Sequence, residues 1–178
     1  MAVHVFVDES RRRKGPYFLV ASVVDSSDLS LCRKLMREIV GRGQKKIHFN
    51  NESDDRRKVI LDQIAQANIK SIIYFSECAD DIGARYGCFS QLLREVPGIR
   101  CNRIVVESRE SQDHRDEKWF LSARSRLGYH VNLAHLPPHS DPLLWVPDAI
   151  GWSYGRKGQW RNKVTNLKLV EAVKSVDG

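Results

Sequence analysis

Three acidic residues occur where the surrounding sequence is apolar. Asp8 and Glu107 each end an apolar run that predicts a central strand, and Asp148 is the only charged residue in the segment 143–152. Burying an ionised carboxylate is costly unless a partner compensates the charge. Carboxylate oxygens are the ligands that Mg²⁺ and Mn²⁺ prefer, and such a cation can activate water in phosphodiester cleavage. The three acids therefore predict a divalent-metal site.

Taken one at a time, the same acids also fit structural roles. Strand ends often meet solvent, so Asp8 and Glu107 could mark the points where two strands leave the core. Asp148 directly follows Pro147 and could face a helix N-terminus, where the helix dipole favours a negative charge. The metal-site hypothesis depends on all three acids converging.

A basic run, Arg11-Arg12-Arg13-Lys14, directly follows Asp8-Glu9-Ser10. If the turn that carries this run lies beside the metal site, its side chains can bind substrate phosphates without reading base sequence. A solvated, charged turn is the alternative. The net charge of +7 at pH 7 favours a polyanionic partner, because Lys and Arg displace counterions condensed on phosphates.

The composition predicts an ordinary globular protein with one domain over residues 1–178. No apolar run approaches the roughly 20 residues that span a bilayer, which predicts no membrane association. The N-terminal residues lack the pattern of a secretion signal, so we expect a cytoplasmic location. The four cysteines form no Cys-x-x-Cys pair and are predicted to be free thiols.

The predicted fold opens with a β-hairpin. Residues 3–9 and Tyr17–Val24 are apolar runs joined by a connection too short for a parallel crossover, so these two strands must be antiparallel. Predicted strands then alternate with predicted helices, which indicates an α/β fold with a mixed central β-sheet flanked by α-helices. The later predicted elements include strands at 46–49, 71–76, 103–107 and 130–136 and a final helix at 160–173. The four tryptophans are expected to pack in the core or against helices rather than to stack on bases, and Trp160, with polar neighbours on both sides, has the best chance of being exposed.

Three short motifs resemble a known family in their order and spacing. They are Asp8-Glu9-Ser10, Tyr17-Phe18-Leu19-Val20 and Pro147-Asp148-Ala149-Ile150-Gly151. The family is the bacterial and phage family called domain of unknown function 3800, which is regarded as ribonuclease H-like. Glu107-Ser108-Arg109 resembles its middle motif, where an Asp followed by a basic residue is commoner. The resemblance extends from Val3 to about Arg156 and implies a ribonuclease H-like fold.

The resemblance implies that Asp8, Glu107 and Asp148 are catalytic metal ligands. Ribonuclease H-like sites usually hold a fourth acid, for which Glu52 is the candidate here. Many relatives have a Glu followed by a Lys slightly earlier, where this chain has His48, whose expected role is to contact the substrate or to support a metal ligand.

Two further residues flank these motifs. Arg109 extends the predicted positive border that binds substrate. Glu9 is expected to face away from Asp8, since side chains alternate along a strand.

These residues predict a Mg²⁺- or Mn²⁺-dependent nuclease, with RNA or an RNA-containing duplex favoured over DNA as substrate. The alternative is a non-catalytic nucleic-acid- or partner-binding module with a degenerate site, which the missing early Glu favours. A nuclease fold of the PilT N-terminus kind is disfavoured, because those domains pass from the first strand directly into a helix.

Overall fold

The predicted hairpin lies at the centre of the sheet. In the computed structural model, which describes residues 2–177, strands β1 (Val3–Arg11) and β2 (Tyr17–Asp25) pair antiparallel along their whole length. Strand β4 (Cys101–Glu107) pairs parallel with β1, and β3 (Lys70–Ser76) pairs antiparallel with β2. The sheet is therefore mixed, as the sequence predicts.

Two shorter strands complete the sheet at its edges. Strand β5 (Asn132–Leu136) pairs parallel with β4, and β6 (Val170–Ser175) pairs parallel with β3, which gives the order β5-β4-β1-β2-β3-β6. Within residues 2–177 the helices are α1 (Leu29–Glu38), α2 (Asp54–Gln66), α3 (Asp81–Glu95), α4 (Glu110–Leu127), α5 (Trp145–Gly155) and α6 (Gly158–Asn166). None of these helices is long and apolar enough to cross a lipid bilayer.

Helices cover both faces of the sheet. One face, here called the α5 face, includes Phe6 and Val105 and packs against α1, α2, α5 and α6. The other, here called the α4 face, includes Val7 and Val106 and packs against α3 and α4. Because successive strand residues point to opposite faces, Asp8 and Glu107 belong to the α5 face.

The structure differs from the sequence prediction at two elements. Residues 46–49 do not form a strand; the chain continues there into a short 3-10 helix, Phe49–Asn51. The predicted final helix at 160–173 is also wrong, because α6 ends at Asn166 and β6 follows. Lys168 has a φ of 54°, a left-handed conformation that ends the helical path and lets the next residues pair with β3.

Expectations for the tryptophan and cysteine side chains can be compared with the structure. Trp160, the tryptophan with the best chance of exposure, is only 8% exposed and packs inside the protein, as expected of the tryptophans as a group. It contacts Trp152 at a ring-centroid distance of 5.7 Å, and its polar sequence neighbours occupy the outer side of α6. The four cysteines are free thiols as predicted, with Cys78 exposed and the others buried.

Candidate metal centre

Two of the predicted ligands lie side by side at the ends of neighbouring strands. In the parallel pairing of β1 with β4, Val7 lies beside Val106, and Asp8 and Glu107 are the next residues of the two strands. Asp8 is only 6% exposed although it ends a strand. Strand pairing therefore places two carboxylates together on the α5 face, at the carboxyl ends of β1 and β4.

Helix α5 brings the third carboxylate, Asp148, to the same place. The helix packs against β1 and β2 at Gly151, where an added Cβ would lie 3.1 Å from Ser10 Cβ and 3.1 Å from Val20 Cγ2. A residue with a Cβ at this position would force α5 away from the strands or displace the Ser10 and Val20 side chains. Asp148 lies three residues earlier, on the same side of the helix. The backbone N–H of Phe49 donates a hydrogen bond of 3.4 Å to Asp148 Oδ2.

The acids Asp8, Glu107 and Asp148, here called the carboxylate cluster, act on one another's ionisation. Burial, followed by the charges of Glu107 and Asp148, raises the pKa of Asp8 well above its usual range. Burial also raises the pKa of Glu107. Burial, with a smaller contribution from Glu107, raises the pKa of Asp148 from 3.8 to about 6. Such a concentration of negative charge in a poorly hydrated place suits a bound cation.

Two cations oppose this charge without neutralising it. Arg109 reaches Asp8 with an Nη2–Oδ1 distance of 3.7 Å and Glu9 with an Nη1–Oε1 distance of 2.7 Å. Its side chain is 46% exposed, so the guanidinium also faces solvent. The charge of Lys46 lowers the pKa values of Glu107 and Asp148, which places its ammonium group near the cluster.

The structure does not bring Glu52 into the carboxylate cluster. Its Oε2 atom lies 3.4 Å from Arg56 Nε, one helical turn away, and its side chain is 8% exposed. Burial, followed by the charge of Lys46, lowers the pKa of His48, and the charge of Glu52 offsets this in part. His48 is exposed and lines a cavity of about 430 Å³ together with Lys46 and His139. The catalytic role of Glu52 and the substrate-binding role of His48 stay predictions.

The four residues of the basic run have different surroundings: one is paired within the protein and three are exposed. Arg11 ends β1 and is held by the protein itself: Nη1 lies 2.6 Å from Asp81 Oδ1, and Nη2 donates to the Cys78 carbonyl at 2.9 Å. The other three, Arg12, Arg13 and Lys14, are exposed in the turn between β1 and β2. The turn therefore presents cations to solvent, and their contact with substrate stays a prediction.

Two ribonucleases share this architecture. The ribonuclease HII of the PCNA:RNase HII complex from Archaeoglobus fulgidus aligns over 92% of this chain and 78% of its own, with a TM-score of 0.59 at 16% identity. Ribonuclease H2 from Pyrococcus horikoshii OT3 aligns over 93% of this chain and 75% of its own, with a TM-score of 0.56 at 14% identity. The fold is ribonuclease H-like. Neither the protein-family models nor the curated proteins yield a match to this sequence.

The α4 face of the ribonuclease H-like sheet carries a buried ion network. Glu9 points to this face, as strand alternation predicts, and contacts Arg85 and the Tyr17 hydroxyl. Arg85 donates two hydrogen bonds to Asp116, Nε to Oδ1 at 2.9 Å and Nη2 to Oδ2 at 2.7 Å. His135 Nε2 lies 3.0 Å from Asp116 Oδ2. The network joins β1, α3, α4 and β5 on the face of the sheet opposite the carboxylate cluster.

Among residues 2–177, Asp113, Asp116 and His135 are the group of three potential metal ligands whose ligand atoms all lie within 4.8 Å of one another, and the carboxylate cluster is more open than this. Protein donors already occupy their carboxylates. Asp113 accepts hydrogen bonds from the Ser108 hydroxyl at 2.6 Å and the Arg109 N–H at 2.8 Å, and Arg85 occupies Asp116. These hydrogen bonds make the group part of the buried ion network.

Sequence reasoning missed Lys46 and Arg85. Lys46 lies in an irregular segment with no periodicity to indicate its direction. Arg85 did carry a signal: it lies on α3 between the buried residues Ala84 and Cys88, where a buried charge requires a partner on a neighbouring element. Nothing in the local sequence identifies Asp116 as that partner.

Proposed function

We propose that this chain is a divalent-metal-dependent nuclease that hydrolyses phosphodiester bonds of nucleic acid, with RNA or an RNA-containing duplex as the favoured substrate. The observation that carries the proposal is the placement of Asp8 and Glu107 at adjacent strand ends on one face of a ribonuclease H-like sheet, with the Asp148 carboxylate within electrostatic range of Asp8. The similarity in fold to two ribonucleases supports both the reaction class and the preference for RNA.

The donor set of the carboxylate cluster fits a hard divalent cation. All three side chains offer carboxylate oxygens, the ligands of Mg²⁺ and Mn²⁺. Burial, followed by the charges of Glu107 and Asp148, raises the pKa of Asp8, and nearby Arg109 offsets this only in part. When bound, Mg²⁺ or Mn²⁺ supplies activation of the attacking water and stabilisation of the leaving oxygen.

The chain's own residues hold the cation and position the substrate. Asp8, Glu107 and Asp148 act as ligands in their deprotonated forms. Arg109 is half exposed beside Asp8, and the N–H groups of its guanidinium that face solvent can donate hydrogen bonds to a substrate phosphate. Lys46 adds a second cation on the side of Glu107 and Asp148. These two cations orient the scissile phosphate against the carboxylate cluster.

Cleavage assays test this proposal directly. Wild type and Asp148→Asn are incubated with labelled single-stranded RNA, RNA–DNA hybrid and DNA in Mn²⁺, Mg²⁺ or EDTA. We expect cleavage by wild type only, fastest on an RNA-containing strand and abolished by EDTA. Asp62→Asn, which removes an exposed ion pair with Lys163, is the matched control and should cleave like wild type. If wild type cleaves none of the three substrates in either metal, the nuclease proposal is wrong.

A second candidate is a nucleic-acid- or partner-binding module with a degenerate site. It is favoured by one observation: Glu52 is paired with Arg56 and leaves the cluster with three acids. This candidate predicts salt-sensitive binding without metal-dependent cleavage in the same assay. Membership in the domain of unknown function 3800 family and a cytoplasmic location belong to the proposal as predictions.

A further inference from the structure

A line of residues leads from the carboxylate cluster along the surface of α5. Asp148, Trp152 and Arg156 are spaced by four residues and therefore lie on one side of the helix. With a rise of about 1.5 Å per residue, Arg156 lies roughly 12 Å along the helix axis from Asp148. Trp152 is partly buried and Arg156 is exposed. The line therefore passes from the cluster to open surface.

Trp152 is a platform for two guanidinium groups. The Cζ atom of Arg57 lies 4.3 Å from the Trp152 ring centroid, and that of Arg156 lies 4.5 Å from it. Arg57 is fixed by hydrogen bonds to the carbonyls of Phe49 at 3.0 Å and Asn50 at 2.7 Å. The Trp152 indole N–H donates to Asn50 Oδ1 at 2.9 Å. The platform is thus held rigidly, and the stacked Arg156 keeps its N–H edge free for a ligand.

The hairpin that carries Arg12 packs against the same end of α5. Gly155, next to Arg156, packs against Phe18, with an added Cβ only 3.6 Å from the Phe18 ring. Phe18 pairs with Ser10 across the hairpin, two residues before Arg12. Burial, followed by the charge of Arg156, lowers the pKa of Arg12, so the two cations lie within electrostatic range.

No carboxylate neutralises this pair. Within residues 2–177 neither Arg12 nor Arg156 forms a salt bridge, whereas Arg11 beside them is paired with Asp81. The fold holds these two positive charges near each other, and one of them is stacked on a fixed aromatic ring. An anion bound between them would relieve their repulsion.

We propose that Arg12 and Arg156 bind one backbone phosphate of the nucleic-acid strand whose scissile phosphate lies at the carboxylate cluster. The assignment of the scissile phosphate rests on the proposed function. The separation of roughly 12 Å corresponds to three or four stacked nucleotides at about 3.4 Å each. The subsite therefore sets the position of the strand relative to the cluster and reads no base.

Salt-dependent binding without metal tests the subsite separately from catalysis. Fluorescence anisotropy in EDTA measures the affinity of a labelled single-stranded RNA for wild type and for Arg12→Ala/Arg156→Ala over a range of salt concentrations. Loss of one phosphate contact should reduce the slope of log K against log salt by about 0.7, and the affinity at ~0.1 M salt by about fivefold. The single variant Arg156→Lys keeps the positive charge and should therefore keep most of the wild-type slope of log K against log salt.

The matched control is Arg124→Ala, which removes an exposed arginine from α4 on the opposite face and should leave the slope unchanged. An unchanged slope in the double variant would overturn the subsite even if wild type cleaves RNA. A reduced slope in a protein that cleaves nothing would support the subsite and contradict the nuclease. Absence of RNA binding by wild type would overturn the subsite as well.

Discussion

Replacing Asp148 by Asn should stabilise the metal-free protein while it destroys the metal site. The pKa of Asp148 is raised from 3.8 to about 6, chiefly by burial. Each pKa unit corresponds to about 1.4 kcal/mol, so keeping this carboxylate ionised at pH 7 costs the folded protein about 3 kcal/mol. Asparagine has the same shape without the charge, and its side-chain oxygen can still accept the Phe49 N–H.

The sign of this effect fixes its pH range. Because the folded pKa exceeds the unfolded one, the folded state is penalised only where Asp148 is deprotonated. The penalty is absent below about pH 4, develops as the pH rises from about 4 to 6, and is constant above that. Asp148→Asn should therefore raise the free energy of unfolding by about 2–3 kcal/mol at pH 7 and by little at pH 4.

Thermal unfolding in EDTA measures this difference. For a chain of this size about 1 kcal/mol shifts the Tm by roughly 2–4 °C, so the Tm should rise by about 5–10 °C at pH 7. The control Asp62→Asn, an exposed acid, should change the stability by less than about 0.5 kcal/mol. Saturating Mn²⁺ should stabilise wild type more than Asp148→Asn. A variant no more stable than wild type in EDTA at pH 7 would refute the reasoning.

Three further predictions follow from the packing and charges of the site. The affinity of the carboxylate cluster for Mn²⁺, measured by calorimetry, should rise with pH across the range in which Asp148 loses its proton, up to about pH 6, since protons compete for the ligands; an affinity independent of pH would contradict this. Gly151→Ala should lower the free energy of unfolding by about 1–3 kcal/mol and weaken Mn²⁺ binding, because its Cβ meets Ser10 at 3.1 Å. Gly155→Ala, with an ordinary contact of 3.6 Å, should be neutral or stabilising in the same denaturant titration, and equal effects would refute the packing argument. Arg85→Met should cost about 3–5 kcal/mol by leaving Asp116 buried without its guanidinium partner and with only His135 beside it, and adding Asp116→Leu should recover part of the loss; strictly additive losses in a double-mutant cycle would show that the pair is not coupled.

The hairpin and the position of Asp8 could be predicted because the responsible interactions are local. A short turn between two apolar runs allows only antiparallel pairing, and strand alternation then separates Asp8 from Glu9. The neighbouring positions of Asp8 and Glu107 could be expected because both strands were predicted to lie at the centre of the sheet. The three acids were thus identified from hydrophobic pattern and family resemblance together.

The later elements were harder to predict from the sequence, because tertiary contacts determine their secondary structure and burial. Leu169–Val173 continues an apolar pattern that fits a helix, and only pairing with β3 makes it a strand. Trp160 looks exposed from its neighbours in sequence, yet it lies one helical turn from Val164 on the inner side of α6. Glu52 has the right type for a ligand, but Arg56 at the next turn binds it instead. None of these partners is marked in the local sequence.

The order of the carboxylates along the chain has a consequence for protein synthesis. Asp8 is translated first, Glu107 about a hundred residues later, and Asp148 last, within a helix that also covers the α5 face of β1 and β2. A nascent chain that stops before α5 leaves Phe6 and Val20 without their covering helix and lacks one carboxylate of the cluster. We therefore expect translation products that end before α5 to be poorly folded and to lack the proposed metal site.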